Sequence, residues 1–307
     1  METVRLEGID VALAHPDDLD LKWTGRAELV DQLLAAWLVI EPRDLPLNPR
    51  LVGKPGVGKT TLAWEAARRL GKTAYIFQAT LDTRPEDLLI TPVVAGEGRI
   101  RYVASSLVTA MLKGGVAILD EGNRMSEKSW ASLAPLLDAR RTIESIVAGL
   151  KVKAHPGFRF VTTMNDDAST FELPEYIHSR LTPTIVVDFP EEEEELAILA
   201  ENLPFAPDDL LRWVTGFLRR SHEADEVHTV RDGINIARYA LKRMAMDPKH
   251  TGPEAGEAPP LRGFAPAVSQ EDRLRESVKA VLGEEALRFA PPVDGAPPKK
   301  PAGPRRT

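Results

Sequence analysis

The segment Gly53-Lys54-Pro55-Gly56-Val57-Gly58-Lys59-Thr60-Thr61 constrains this 307-residue chain more than any other. It matches G-x-x-x-x-G-K-[ST], follows the β-type run PRLVG (49–53) and leads into the helical LAWEAARRL. Strand, glycine loop and helix therefore stand in the order that a phosphate-binding loop requires. Glycines let the backbone turn tightly enough to point successive N–H groups at phosphate, and the helix N-terminus adds partial positive charge. Lys59 is expected to reach the β- and γ-phosphates of a nucleotide, with the Thr60 hydroxyl ligating Mg²⁺. A plain glycine turn before an ordinary helix is the competing reading, and the flanking pattern argues against it.

Binding phosphate is not yet chemistry, so a second strand has to bring carboxylates to the same place. Val116-Ala117-Ile118-Leu119-Asp120-Glu121 follows the loop by about 60 residues. Its four apolar residues read as a buried central strand, and its two acids fall at the carboxyl edge, where α/β sheets bind ligands. Asp120 is expected to hold Mg²⁺ through its water shell. Glu121 is expected to orient and deprotonate an attacking water.

Around these segments, β-type runs at 49–53, 73–79, 115–121, 158–164 and 184–189 alternate with helical patterns at 26–40, 60–70 and 126–138. That alternation predicts an α/β domain with a parallel sheet. From 191 to 246 the β signal disappears and three helical patterns follow one another. The run Glu191 to Glu195 opens the first, where acids suit the helix dipole and a solvated helix start is expected. Eleven of the 25 prolines lie after Asp247, so 247–268 and 290–307 are read as irregular or disordered. Between them, Leu274, Val278, Val281 and Leu282 recur at helical spacing after Ser269, an expected N-cap, on a helix that must pack against the preceding ones. The expected organisation is an N-terminal segment (1–22), a core (23–190), a small helical domain (191–246), a linker (247–268), a C-terminal helix (269–289) and a basic Pro-rich tail (290–307).

Composition narrows the classes. With no cysteine, disulfides and Cys-based zinc sites are excluded, and the six histidines lack HxxxH or HExxH spacing. The longest apolar run, Leu33 to Ile40, is far shorter than the roughly 20 residues that span a bilayer, and the N-terminus does not read as a signal peptide. A soluble, cytoplasmic protein is expected.

Taken together, GKPGVGKT, VAILDE, FRFVTTMN ending at Asn165, and YIHSRL before the fifth strand resemble an AAA+ ATPase over about 23–246. The resemblance implies a P-loop NTPase core with a five-stranded parallel sheet, followed by a helical lid. It makes Asn165 the sensor-1 residue that helps Glu121 position water, although Asn165 could also simply start the turn NDDAS. It makes Arg180 an arginine finger acting on a neighbouring subunit, and Arg231 a sensor-2 residue of the lid, the latter preceded by Thr-Val where related proteins often have Ser-Pro. Arg180 as a surface helix cap and Arg231 as a structural residue are the bland alternatives. TPVVAGEGRIRYV (91–103) and RTIESIVAGLKVKAHPGF (141–158) read as two inserted β-hairpins, and resemble the MoxR-like and dynein-related branch of AAA+ proteins. LLDARR and the segment after it are similar to proteins that pair with a von Willebrand factor A partner. Arg124 and Arg140 are read as interface or phosphate-sensing groups, or as exposed salt-bridging arginines.

The resemblance implies a homo-oligomeric, hexameric ring that binds ATP and Mg²⁺, hydrolyses ATP and remodels a protein client. A nucleic-acid motor remains a second reading, against which the net charge of −7 argues mildly. A nucleotide-gated scaffold with little turnover is a third.

Overall fold

The computed structural model describes residues 2–19, 22–166, 172–246 and 269–291. Most of the Pro-rich linker and tail expected over 247–268 and 290–307, and residues 167–171 after Asn165, lie outside the described residues. In chain order the elements are β1 (Thr3–Leu6), β2 (Ile9–Ala12), α1 (Ala27–Trp37), β3 (Arg50–Gly53), α2 (Lys59–Arg69), β4 (Ala74–Gln78), β5 (Ile90–Val94), β6 (Ile100–Ala104), α3 (Ser106–Lys113), β7 (Val116–Asp120), α4 (Glu127–Leu133), β8 (Thr142–Ser145), β9 (Leu150–Lys153), β10 (Arg159–Asn165), α5 (Glu175–His178), β11 (Thr184–Val186), α6 (Glu192–Asn202), α7 (Asp208–Glu223), α8 (Val230–Ala245) and α9 (Gln270–Leu282). They divide into two compact units, Met1–Phe189 and Pro190–Thr307.

In the first unit, five parallel strands lie in the order β11-β3-β10-β7-β4. Successive side chains of a strand point to opposite faces. Thus Val116 and Ile118 pack with Leu33 of α1 and Leu62 of α2, while Ala117 and Leu119 join Leu107 and Met111 of α3 and Trp130 of α4. Both faces are covered, which is why β7 and all seven residues of β10 tolerate no solvated side. Helix starts are local: Ser105 and Ser126 accept hydrogen bonds from the Val108 and Ser129 amides.

The two expected hairpins are present, β5 antiparallel to β6 and β8 antiparallel to β9. The first is not an isolated insertion. The amino-terminal hairpin β1–β2 joins it through a parallel β2–β6 pairing, giving a four-stranded sheet β1-β2-β6-β5. The stretch expected as an N-terminal segment thus carries two strands of this sheet. Helix α1 is also shorter than its apolar pattern suggested. It stops at Trp37, whose indole donates to the Phe160 carbonyl; Leu38 is extended, and Ile40 is 84% exposed.

The second unit is helical among its described residues. Leu199, Leu210, Val214, Phe217, Leu218, Ile236, Leu274, Val278 and Phe289 share one core, so α9 packs with α6, α7 and α8. Ser269 caps α9, accepting from the Asp272 amide. The expected single helix over 269–289 is broken at Gly283, φ 95°, beyond which 284–289 form a 3₁₀ turn. The acidic run also differs from expectation. Glu191 and Glu194 form a capping box, but Glu195 is fully buried because it stands one helical turn before Leu199 on the core face.

Candidate functional site

The carboxyl ends of β3, β10 and β7 place three of the expected residues side by side. Asn165 is the register partner of Gly53, and Thr162 that of Leu119, one residue before Asp120. Between β3 and α2 the loop turns through Gly56 and Gly58, both left-handed with φ 82° and 90°. Gly58 is the residue before the first turn of α2, so Lys59 opens the helix and is 6% exposed. Gly53 is needed for a different reason: a Cβ there would lie 2.1 Å from the Val187 carbonyl oxygen.

Lys59 Nζ donates to the carbonyls of Gly53 (2.9 Å) and Lys54 (2.7 Å) and to Asn165 Oδ1 (2.9 Å). The Asn165 amide is thereby polarised in one direction. Its oxygen faces the ammonium, and its Nδ2 donates to Glu121 Oε1 at 3.2 Å. Asp120 Oδ1 accepts from two hydroxyls, Thr60 Oγ1 at 2.6 Å and Thr163 Oγ1 at 2.5 Å. The Thr163 hydroxyl also accepts from the Glu121 amide at 3.0 Å, holding Glu121 in the left-handed region at φ 54°. This backbone is uncommon for a residue with a side chain, and it turns the Glu121 carboxylate toward Asn165 rather than along the strand.

Lys59, Thr60, Asp120, Glu121 and Asn165 are therefore together. Of the remaining loop positions, Val57 is buried in the α1–α2 core, Pro55 is exposed, and Lys54, Gly56 and Thr61 are half-buried. Thr60 and Asp120 converge as hard oxygen donors, the chemistry that suits Mg²⁺. Among the described residues, no three His, Asp or Glu side chains cluster as an alternative metal cage.

Arg180 is placed elsewhere in this unit. Its guanidinium donates to the Tyr176 carbonyl, lies 5.9 Å from the Tyr176 ring and is 3.6 Å from Asp138 Oδ2. Asp138 also binds Arg140 at 2.7 Å, and that hydrogen bond, with Arg180 contributing further charge, holds its carboxyl down at about 2. Arg140 is thus a salt-bridging arginine. Arg231 is the second residue of α8 in the helical unit, exposed, next to a capping box between Thr229 and Asp232.

Several site residues were not singled out from sequence. Thr163 bridges Asp120 and the Glu121 backbone. Asn123 clasps the end of β10, donating to the Asn165 carbonyl (2.8 Å) and accepting from its amide (3.3 Å). Trp23 lies against the loop, its ring 3.2 Å from where a Gly58 Cβ would be. A hydroxyl two residues before Asn165 and an amide two residues after Glu121 were visible signals only once the strand pairing was known.

Known proteins share parts of this chain. Residues 50–181 match the family described as AAA domain (dynein-related subfamily), less than half of the chain. Uncharacterized proteins of Staphylococcus aureus strains USA300 and COL are 29% identical over 151 residues, 48% of this chain and 57% of theirs. The alignment thus spans little more than half the length of these curated relatives. Solved structures of two Thermotoga maritima RuvB mutants superpose with a TM-score of 0.53. One is 17% identical and covers 83% of this chain and 69% of that one; the other is 16% identical and covers 82% and 68%. The fold is the α/β AAA+ P-loop fold, with its five-stranded parallel sheet and a C-terminal helical region. No helix among the described residues is long and apolar enough to cross a membrane.

Proposed function

We propose that this chain is a Mg²⁺-dependent ATPase of AAA+ type, working as a homo-oligomeric, hexameric ring in the cytoplasm. The observation that carries the reading is the convergence of Lys59, Thr60, Asp120, Glu121 and Asn165 at one sheet edge. Lys59 redirects its ammonium from the loop carbonyls to the β- and γ-phosphates. Thr60 would ligate Mg²⁺ directly and Asp120 would hold it through water. The metal, when bound, supplies positive charge to the phosphate oxygens. Asn165 and Glu121 hold the attacking water between them, and Glu121 takes its proton as the bond from γ-phosphorus to the bridging oxygen breaks and ADP leaves. Arg180 of a neighbouring subunit stabilises the transferring phosphoryl group, an effect on the order of 10³–10⁵ in rate. Arg231 keeps the sensor-2 role that the AAA+ resemblance implies for it.

The work done is remodelling of a protein client, with a von Willebrand factor A-domain partner. Support for this finer reading is the resemblance to the MoxR-like branch, the two β-hairpins and a net charge of −7. RuvB is described as a Holliday junction branch migration motor, but at this identity the likeness extends to fold alone. ATP turnover and binding of a fluorescent ATP analogue, measured with and without DNA, test the proposal. Lys59→Ala is expected to lose binding, and Glu121→Gln to bind normally and lose at least about 100-fold in kcat. A Glu121→Gln variant turning over like wild type removes Glu121 as base; strong stimulation by DNA replaces the protein client with nucleic acid.

A further inference from the structure

Glu121 Oε1 is held by Asn165, and its other oxygen has a partner that the proposed mechanism leaves unused. Arg124 Nε lies 2.6 Å from Glu121 Oε2, both side chains being about one-third exposed. The local backbone explains the encounter. Gly122–Arg124 form a single 3₁₀ turn that starts at Glu121, closed by hydrogen bonds from the Arg124 amide to the Glu121 carbonyl (2.9 Å) and from the Met125 amide to the Gly122 carbonyl (3.1 Å). A 3₁₀ turn has three residues per turn, so side chains at i and i+3 eclipse. Glu121 caps this turn with left-handed backbone and so lies outside the strict eclipse; one turn on, Arg124 comes round to meet its carboxylate.

The platform beneath this pair is stiff. The Trp130 indole donates to the Gly122 carbonyl at 3.1 Å, and a Cβ at Gly122 would lie 2.3 Å from Thr162 Oγ1. Asn123 ties the same turn to the end of β10 through both hydrogen bonds to Asn165. The two groups that hold the carboxylate, Asn165 by a hydrogen bond and Arg124 by an ion pair without hydrogen-bond geometry, therefore rest on supports joined to each other. A carboxylate offers about four lone-pair sites. Asn165 takes one of them by a hydrogen bond, Arg124 holds the other oxygen by charge, and lone pairs remain to accept a proton from water.

We propose that Arg124 is a positioning residue for Glu121, acting within its own subunit by fixing the second carboxylate oxygen so that the base faces the attacking water before nucleotide arrives. The inference rests on the reading of Glu121 as base. It assigns Arg124 no contact with phosphate and no role across a subunit interface. A glutamate released at one of two anchors regains much of its torsional freedom, which corresponds to about a tenfold loss in rate.

The test is ATP turnover by full-length Arg124→Ala, Arg124→Gln and Arg124→Lys, each also combined with Glu121→Gln, with melting temperatures recorded on the same samples. Arg124→Ala and Arg124→Gln are expected to lower kcat about tenfold with KM within twofold, Arg124→Lys to recover most of the loss, and Arg124→Ala to add nothing to Glu121→Gln. If Arg124→Ala melts early, the Gln and Lys pair carries the comparison. A raised KM with kcat intact, a loss that multiplies with that of Glu121→Gln, or rescue by mixing with intact subunits overturns the proposal. An inactive Glu121→Gln beside a fully active Arg124→Ala overturns it alone, whereas an active Glu121→Gln overturns the base assignment beneath it.

Discussion

Replacing Glu195 by Gln removes an ionisable group from the centre of the helical unit. Glu195 is 0% exposed, neither carboxyl oxygen has a hydrogen-bond partner among the described residues, and His222 Nδ1 lies 3.6 Å from Oε1. Burial pushes its pKa up to about 8; Arg219 opposes the shift, and the charges of Glu192 and Glu191 add to it. The folded unit therefore keeps a proton that the unfolded chain releases near 4.5. Stability from this group is complete below that value and is lost as pH rises through about 8. His222 runs the opposite way. Burial lowers its pKa from 6.5, the hydrogen bond of its Nε2 with the His228 carbonyl opposes this, and its contribution grows with pH only up to about 6.5. The clean window for Glu195 is therefore about pH 6.5 to 8. One pKa unit is worth about 1.4 kcal/mol, so wild type should lose on the order of 2 kcal/mol across this window relative to Glu195→Gln. Hydrogen exchange of amides in α6 and α7, corrected for intrinsic rates, reports opening of this unit separately from the sheet unit. The expected signature is about a 30-fold fall in wild-type protection relative to the variant across the same window. Parallel protection curves for the two proteins refute the reasoning, because a buried neutral carboxyl must release its proton as the unit opens.

Two further outcomes follow from the sheet unit. Gly53→Ala puts a Cβ 2.1 Å from the carbonyl oxygen of Val187, the residue after β11, whose amide donates to the Val52 carbonyl at 2.8 Å; a melting temperature lowered by several degrees together with lost nucleotide binding is expected, and an unchanged melting curve contradicts the close approach. Arg180→Ala should keep nucleotide affinity and lose about 10³-fold or more in turnover, with activity returning in mixed oligomers. Absence of rescue in the mixing assay counts against action from a neighbouring subunit.

Much of the α/β P-loop fold was legible because its signals are contiguous. Each of the five parallel strands is a short apolar run, and the turn glycines and capping serines act on backbone within three or four residues of themselves. The amino-terminal hairpin was not legible, because β2 gains its place only by pairing with β6, about 90 residues away. The acidic start of α6 looked uniformly solvated because four of its five glutamates do suit a helix N-terminus, and the burial of the fifth depends on what α6 packs against.

The candidate site divides in the same way. Lys59, Thr60, Asp120, Glu121 and Asn165 could be named from the chain alone, since a glycine loop before a helix and acids at a strand end carry their chemistry in local order. Which groups hold these residues is a tertiary matter. The amide bridge from Lys59 to Glu121, the Thr163 hydroxyl under Asp120, and Arg180 folded onto Asp138 each join residues 42 to 106 positions apart. Arg124 on Glu121 is the intermediate case: the residues are three apart, but only the 3₁₀ turn pinned between Trp130 and Asn165 brings the charges together. Sequence order determined which reactive groups the chain possesses, because motif residues act through their own backbone neighbourhood. The packed sheet edge decided which oxygen faces which donor, because those distances come from strand pairing and burial that no single segment contains.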